Sequence, residues 1–429
     1  MPRLSRFPAL RHRHYRTYIS GAFISQVGNQ VQVWAIMWHV KEITDSVFLV
    51  GLLGAVTIVP TLALSLLGGV VADQADRRKV MLLTQSAFSG VALGIAFLTL
   101  TSSVQLWQIY MAVALHSVIR AFDIPARHAL VPTLVPRRDF PNAVTLNSVS
   151  WRLSDVLAPL VVGVLLWTGG VTLGGVHFDG LSACYFLNLL SFAAILVAVW
   201  RLPARTPQFE NEQAERIRRV RDILPAVSDG IKFVRRTPVV RGSMWIDFWA
   251  TLFATVEGLL PFFAGAEFRV GPFGYGLLAA SIALGSLFAS AVMVILPTVR
   301  GQGRGVIASI AVFGLCTAGV GTSPWLPLTL LCLAGAGAAD TVSTVFRQTI
   351  RQLVTPDRLR GRVTAISVLF HRAGPELGKV QAGAFAQLLS VRLAASLGGL
   401  AAALVASRWW RGGALKAYEH SDSEEITGS

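Results

Sequence analysis

Ionisable residues stand inside otherwise apolar runs at five places where they could do chemistry. The run around 141–167 carries Arg152 and Asp155, three residues apart and so on one helical face. The run around 363–388 carries Arg372 and Glu376, four apart, and Lys379 a further three on. Glu257 lies in a third such run, with Phe253, Ala254, Leu260 and Pro261 as its helical neighbours and no basic residue within helical reach. Asp340 and Asp247 complete the set, the latter nearer a basic loop and suited to pairing with loop arginines. A charge in a low-dielectric interior costs several kcal/mol, so each marks a functional position until a partner is found. A carboxylate in such surroundings can exchange a proton near neutral pH, and Glu257, then Asp155 and Glu376, are the candidates for that role. The alternatives are neutralisation within each helix, an unseen partner for Glu257 such as Arg152 or Arg372, or exposure near a surface.

Uncharged polar residues form a second group. Gln26, Asn29 and Gln30 share a helical face with Val33 in the middle of the first apolar run. Amides there can bind a ligand or bond neighbouring helices. Trp34, His116, Trp249 and Phe253 could add aromatic or switchable walls, with Arg152, Arg372 and Asp340 as charged contacts. Trp409 and Trp410 sit at a run's end, where tryptophan anchors to a membrane interface.

The elements that must carry these residues follow from composition. The chain has 429 residues, a mean hydropathy of +0.57 and 14% charged residues. Soluble domains carry about 25% charged residues, and 53% hydrophobic content excludes disorder. About 20 apolar residues cross a bilayer. The sequence predicts an all-α polytopic membrane protein with twelve transmembrane helices near 17–40, 47–71, 79–100, 104–124, 141–167, 181–200, 243–264, 273–297, 305–323, 325–346, 363–388 and 391–408. The lipid bilayer is thus one partner.

The net charge of +15 falls mostly in alternate loops, with only Lys41, Arg269 and Arg392 in the loops of the opposite side. That bias places both termini in the cytoplasm and argues against a nucleic-acid partner. Residues 1–200 and 242–410 read as two six-helix halves, 201–241 as a cytoplasmic linker and 411–429 as a cytoplasmic tail. Glu210, Glu212 and Glu215, followed by Arg216, Arg218, Arg219 and Arg221, make the linker a surface amphipathic helix or a solvated strap. The end of the tail, from Ser421 to Glu425, reads as disordered. Cys184, Cys316 and Cys332 lie in apolar runs and suggest neither disulfide nor metal site.

The halves overlay. At an offset of 220, Arg127 matches Arg347, Pro136 matches Pro356, Arg152 matches Arg372 and Gly163 matches Gly383. Val50-Gly-Leu-Leu-Gly-Ala55 parallels Tyr275-Gly-Leu-Leu-Ala-Ala280 at an offset of 225. Parallel six-plus-six repeats belong to a transporter plan with its binding site between halves near the midplane.

After the second run comes Gly68-Gly69-Val-Val-Ala72-Asp73-Gln-Ala-Asp76-Arg77-Arg78-Lys79. This resembles the cytoplasmic motif of the major facilitator superfamily, with Asp76 where the general motif has glycine. With Asp123-Ile-Pro125-Ala-Arg127 and Leu134-Val-Pro136, it is similar to the enterobactin-exporter-like, drug-efflux branch. The resemblance implies a gate at Gly69, Asp73, Arg77 and Arg78, with Gly69 allowing close helix approach; the alternative is that Arg77 to Lys79 only fix topology. It also implies a cavity lined by the first, fourth, seventh and tenth helices. Ser154-Asp-Val-Leu-Ala158-Pro159-Leu-Val-Val-Gly163 resembles the antiporter motif in Pro159 and Gly163 and points to export.

The expectation is a bacterial plasma-membrane exporter of amphipathic small molecules, drugs or siderophores, working by proton antiport and alternating access. It would act as a monomer, use a proton gradient and no cofactor or metal, and not be an enzyme: Walker, His-Glu-x-x-His and Gly-x-Ser-x-Gly motifs are absent from the sequence. A lysophospholipid flippase or uniporter, or a non-transporting receptor or assembly factor, are the competing readings.

Overall fold

The computed structural model describes residues 7–173, 175–203, 223–295 and 301–419, with the side chains of Leu66, Val70, Ala72, Asp73, Gln74, Leu173 and 223–227 left out. The linker charges from Glu210 to Arg221 and the tail from Ser421 to Glu425 lie outside the described residues.

Helices dominate. They are α1 Arg13–Thr44, α2 Val47–Gln74, α3 Arg77–Leu100, α4 Leu106–Leu134, α5 Phe140–Trp167, α6 Gly180–Trp200, α7 Ile223–Arg236 and α8 Pro238–Ala254. The short α9, Leu260–Phe262, is followed by α10 Gly271–Ile295, α11 Gln302–Thr322, α12 Leu326–Val354, α13 Asp357–Leu388, α14 Val391–Trp410 and α15 Ala414–Ala417. One antiparallel hairpin, β1 Val171–Leu173 with β2 Val176–Phe178, joins α5 to α6, and Gly169, Gly170 and Gly175 supply the positive φ angles its turns require.

Among the described residues, ten helical segments are long and apolar enough to cross a bilayer. The expected runs missing from that set fall on α1 and α13, the two helices richest in intramembrane polar residues. Several helices outrun the expected edges. α4 continues through Pro125 and Pro132 to Leu134, and α12 continues to Val354, so Arg127 and Arg347 are helical residues.

The largest departure is at the seventh run. α8 ends at Ala254, Thr255 is extended, and the chain re-enters through a 3-10 turn Glu257–Leu259, α9 and a π turn Phe263–Glu267. Pro261 explains part of this, since proline has no backbone N–H to donate. Glu257 therefore sits in a helix break rather than within a continuous helix.

The chain forms two compact units, Met1–Ile43 with Val59–Val220, and Thr44–Ile58 with Arg221–Ser429. The first is built around Tyr15, Tyr18, Met81, Phe88 and Phe192 where α1, α3, α4 and α6 pack. The second centres on Val240, Ile246, Val306, Ile350 and Val363. In it α13 lies close against α8 through Gly374 and Gly378. A Cβ on Gly374 would stand 2.1 Å from Thr251 Oγ1, and one on Gly378 2.7 Å from the Thr251 carbonyl oxygen. This small-xxx-small spacing lets two backbones meet where lipid offers no hydrophobic drive. Of the linker, α7 is helical, and its Asp229 accepts from Arg362 of α13 at 3.0 Å.

Candidate functional site

Helix packing gathers the polar residues into three places. The first is a cavity in the first unit, between α1, α3, α4 and α5. Gln26, Asn29, Gln30 and Val33 line it, with Phe88, His116, Arg120, Asp123, Arg127 and Trp151. The face expected from helical spacing on α1 is thus one wall, and the expected His116 stands on it. Asn29 Oδ1 lies 3.1 Å from His116 Nε2. Gln30 donates to Asp155 at 2.8 Å, so Asp155 is held by α1 across the helix interface. Arg152 is half-buried beside Trp151, and Trp34 is buried on α1.

At the foot of this cavity Asp123 and Arg127 form a buried pair on one helix, at 2.5 Å. Asp123 also accepts from Thr84 at 2.9 Å and Gln85 at 2.6 Å, both from α3. A buried ion pair is tolerated when further hydrogen bonds satisfy it, as here. The sequence marked Asp123 and Arg127 as part of a motif without assigning them a role. Their four-residue spacing was the available signal for the pair.

The second place lies in the second unit. Buried Asp247 of α8 pairs with Arg347 of α12, whose side chain is 9% exposed, and accepts from His371 of α13 at 3.1 Å. Asp340 stands 3.9 Å from Arg347. Asp247 does bind an arginine, as expected, but one from within a helix. His371 had no signal in the sequence beyond being polar in an apolar run. Trp249 and Phe253 extend from the same helix as a stacked aromatic ladder with Trp245.

The third place overturns the isolation of Glu257. Lys379 of α13 reaches Glu257 at 3.3 Å and Glu376 at 3.2 Å. The lysine is 10% exposed and the Glu257 side chain 39%. The partner was invisible in sequence because it lies on another helix. Gly51 and Gly54 of α2 press on this stretch of α13, a Cβ on Gly54 standing 2.0 Å from the Glu376 carbonyl oxygen. Arg372 is half-buried one turn earlier.

The expected gate is rearranged in one respect. A Cβ on Gly69 would meet nothing within 4 Å, whereas one on Gly68 would stand 2.0 Å from the Ala121 carbonyl oxygen. The close approach expected of Gly69 belongs to Gly68, because the phase of α2 turns that residue toward α4. Asp76, the departure from the motif, caps α3 by accepting from the Arg78 backbone N–H at 2.9 Å. Arg77 donates to the Ala129 carbonyl at 3.0 Å, and Arg78 to the Val199 and Trp200 carbonyls at 3.1 and 2.6 Å. Arg78 thereby places a cation at the C-terminus of α6, where the helix dipole is negative. The Asp73 side chain lies outside the described residues.

A family model described as transmembrane secretion effector matches residues 4–426. Enterobactin exporter EntS of Shigella boydii serotype 4 (strain Sb227) is 25% identical over 388 residues, 90% of this chain and 89% of that protein. Its namesake from Citrobacter koseri (strain ATCC BAA-895 / CDC 4225-83 / SGSC4696) is 25% identical over 406 residues, covering 92% and 90%. Among solved structures, the nucleoside transporter NupG has a similar fold, with a TM-score of 0.71 at 12% identity over 93% of this chain and 98% of that one. With ten bilayer-length helices among its described residues, the chain is a multi-pass membrane protein and belongs to the transmembrane secretion effector family of the major facilitator superfamily of transporters.

Proposed function

We propose that this protein is a proton-coupled exporter of amphipathic small molecules, siderophore-like compounds foremost, in a bacterial inner membrane. Twelve helices would span, α1 and α13 included, with both termini in the cytoplasm. Export of a siderophore rests on the relatives, whose printed name is enterobactin exporter. Proton coupling rests on one observation: two carboxylates, Glu257 and Glu376, share one buried ammonium, Lys379. That triad carries one negative charge in excess within a membrane-spanning unit. Taking up one proton makes it neutral, which lowers the cost of holding it in low dielectric. Glu257, the more exposed carboxylate, is the one that meets water and takes the proton. Substrate would displace that proton during alternating access, with Arg77 and Arg78 holding the inner ends of the helices. The protein would work as a monomer on the proton gradient, without cofactor or metal, and not as an enzyme.

The test uses everted membrane vesicles with an acidic interior and a dye that follows the pH gradient. Addition of a siderophore is expected to release protons in wild type and not in Glu257→Gln. Transport without proton release would favour a uniporter or flippase. Binding without transport would favour a receptor or assembly factor. Either result, or an unaffected Glu257→Gln variant, overturns the reading.

A further inference from the structure

In the second unit, the linker helix α7 and the start of α13 enclose a cavity of 490 Å³. Four cations line it, Lys232 and Arg236 from α7 and Arg358 and Arg362 from α13, with one carboxylate, Asp229. Each helix thus contributes two like charges four residues apart, a spacing that puts them on one face and disfavours the helix by itself. Topology needs only cations somewhere in the loop. It does not need two such repelling pairs around one space.

The carboxylate is already engaged. Asp229 accepts from Arg362 at 3.0 Å and lies 4.0 Å from Lys232. Three positive charges remain in excess. Arg236 and Arg358 are exposed and have no ion-pair partner among the described residues. An anion between them would remove the repulsion, and a phosphate suits it best, since its oxygens only accept and match a guanidinium's paired N–H groups.

The place of the cavity says where that phosphate comes from. Only Thr237 separates α7 from α8, and the segment Pro238–Glu267 that follows is long and apolar enough to cross a bilayer. Phe233 and Val234 pack α7 onto the core of the second unit, and a Cβ on Gly230 would stand 2.8 Å from Ile366 Cδ1 of α13. The cavity therefore lies where the chain enters the membrane, at the level of lipid headgroups. Phe233 and Leu359 add apolar lining for the carbon atoms next to a phosphate. A basic pocket between helices at this level is suited to an anionic headgroup. A zwitterionic lipid would also bring an ammonium, for which Asp229 has little left to offer.

We propose that this cavity binds the headgroup of an anionic phospholipid, its phosphodiester held between Arg236 of α7 and Arg358 of α13, so that the lipid fastens the linker helix to the second unit. The site goes beyond the exporter reading and does not depend on the direction or the coupling of transport.

The test is native mass spectrometry of the purified full-length protein titrated with dioleoyl phosphatidylglycerol or dioleoyl phosphatidylcholine. Wild type is expected to retain phosphatidylglycerol in preference. Arg236→Gln combined with Arg358→Gln should weaken phosphatidylglycerol about twentyfold, at about fivefold for each cation near a membrane surface, and leave phosphatidylcholine unchanged. Arg138→Gln combined with Arg408→Gln removes the same charge from exposed positions elsewhere and should leave the preference intact. Asp229→Asn releases Arg362 and should tighten phosphatidylglycerol about fivefold, a gain that a purely structural role for these residues would not produce. Thermal melting checks that each variant is folded, and the substituted arginines are exposed enough for that to be expected. Equal retention of the two lipids, equal loss in both double variants, or weaker binding in Asp229→Asn overturns the proposal. Displacement of phosphatidylglycerol by excess inorganic phosphate would overturn it too, by making free phosphate the ligand.

Discussion

Arg127 and Arg347 stand at equivalent points of the internal repeat, and each is a buried arginine paired with a buried aspartate. Their partners differ in kind. Arg127 takes Asp123, one turn earlier on its own helix, so the pair survives any sliding of α4 against its neighbours. Arg347 takes Asp247 from α8, which also holds His371 of α13. That cluster exists only while three helices keep their register. The same duplicated cation thus serves a helix-internal pair in one unit and a joint between helices in the other. The first leaves Arg127 Nη1 without a hydrogen-bond partner among the described residues; the second spends its capacity on joining helices.

The largest effect that could break this comparison is Asp247→Ala. It takes the buried carboxylate from Arg347 and leaves it only the more exposed Asp340 at 3.9 Å, which should cost about 3–5 kcal/mol, read as a lower melting temperature of the purified protein. The double variant Asp247→Asn with Arg347→Gln should recover much of the loss, because no charge is then stranded. A loss under about 1 kcal/mol would mean that the joint between helices is not what holds Arg347.

Next comes helix approach. Gly68→Ala forces a Cβ against the Ala121 carbonyl oxygen, and Gly374→Ala forces one against Thr251; each should cost about 1–3 kcal/mol through overpacking. Gly69→Ala, with nothing within 4 Å, should change stability by under about 0.5 kcal/mol or stabilise slightly, as alanine is the better helix former. Equal effects at Gly68 and Gly69 would contradict the phase of α2.

Smaller than the effects at the two close-packed glycines is that of Arg78→Ala, which removes two hydrogen bonds to the last carbonyls of α6 at a partly exposed site. About 0.5–1 kcal/mol is expected, and the effect should shrink in high salt while that of Asp247→Ala does not. Melting curves at two ionic strengths separate the two.

Legibility follows the range of the interaction. The wall of Gln26, Asn29 and Gln30 was readable because a helical face is a local repeat, and the i, i+3 and i, i+4 spacings of Glu376 with Lys379 and of Asp123 with Arg127 were readable for the same reason. The partner of Glu257 was not, since Lys379 is far away in sequence and meets it only after α13 packs against the break following α8. The break itself had a weak signal in Pro261. Gly68 and Gly69 were indistinguishable until the rotation of α2 was known.

The sequence by itself determined the solvent, the helices and the lineage. Moving apolar side chains and backbone into a bilayer is a per-residue free energy, so composition and run length mark ten helical segments among the described residues as able to span. The Gly68–Lys79 motif and the 220-residue offset are likewise written in order along the chain. Tertiary structure alone decided which charges neutralise one another and which buried polar atoms are left over. Coulombic and hydrogen-bond partners are chosen by a few ångströms in space, and helix rotation and break geometry set those distances with little trace in local sequence.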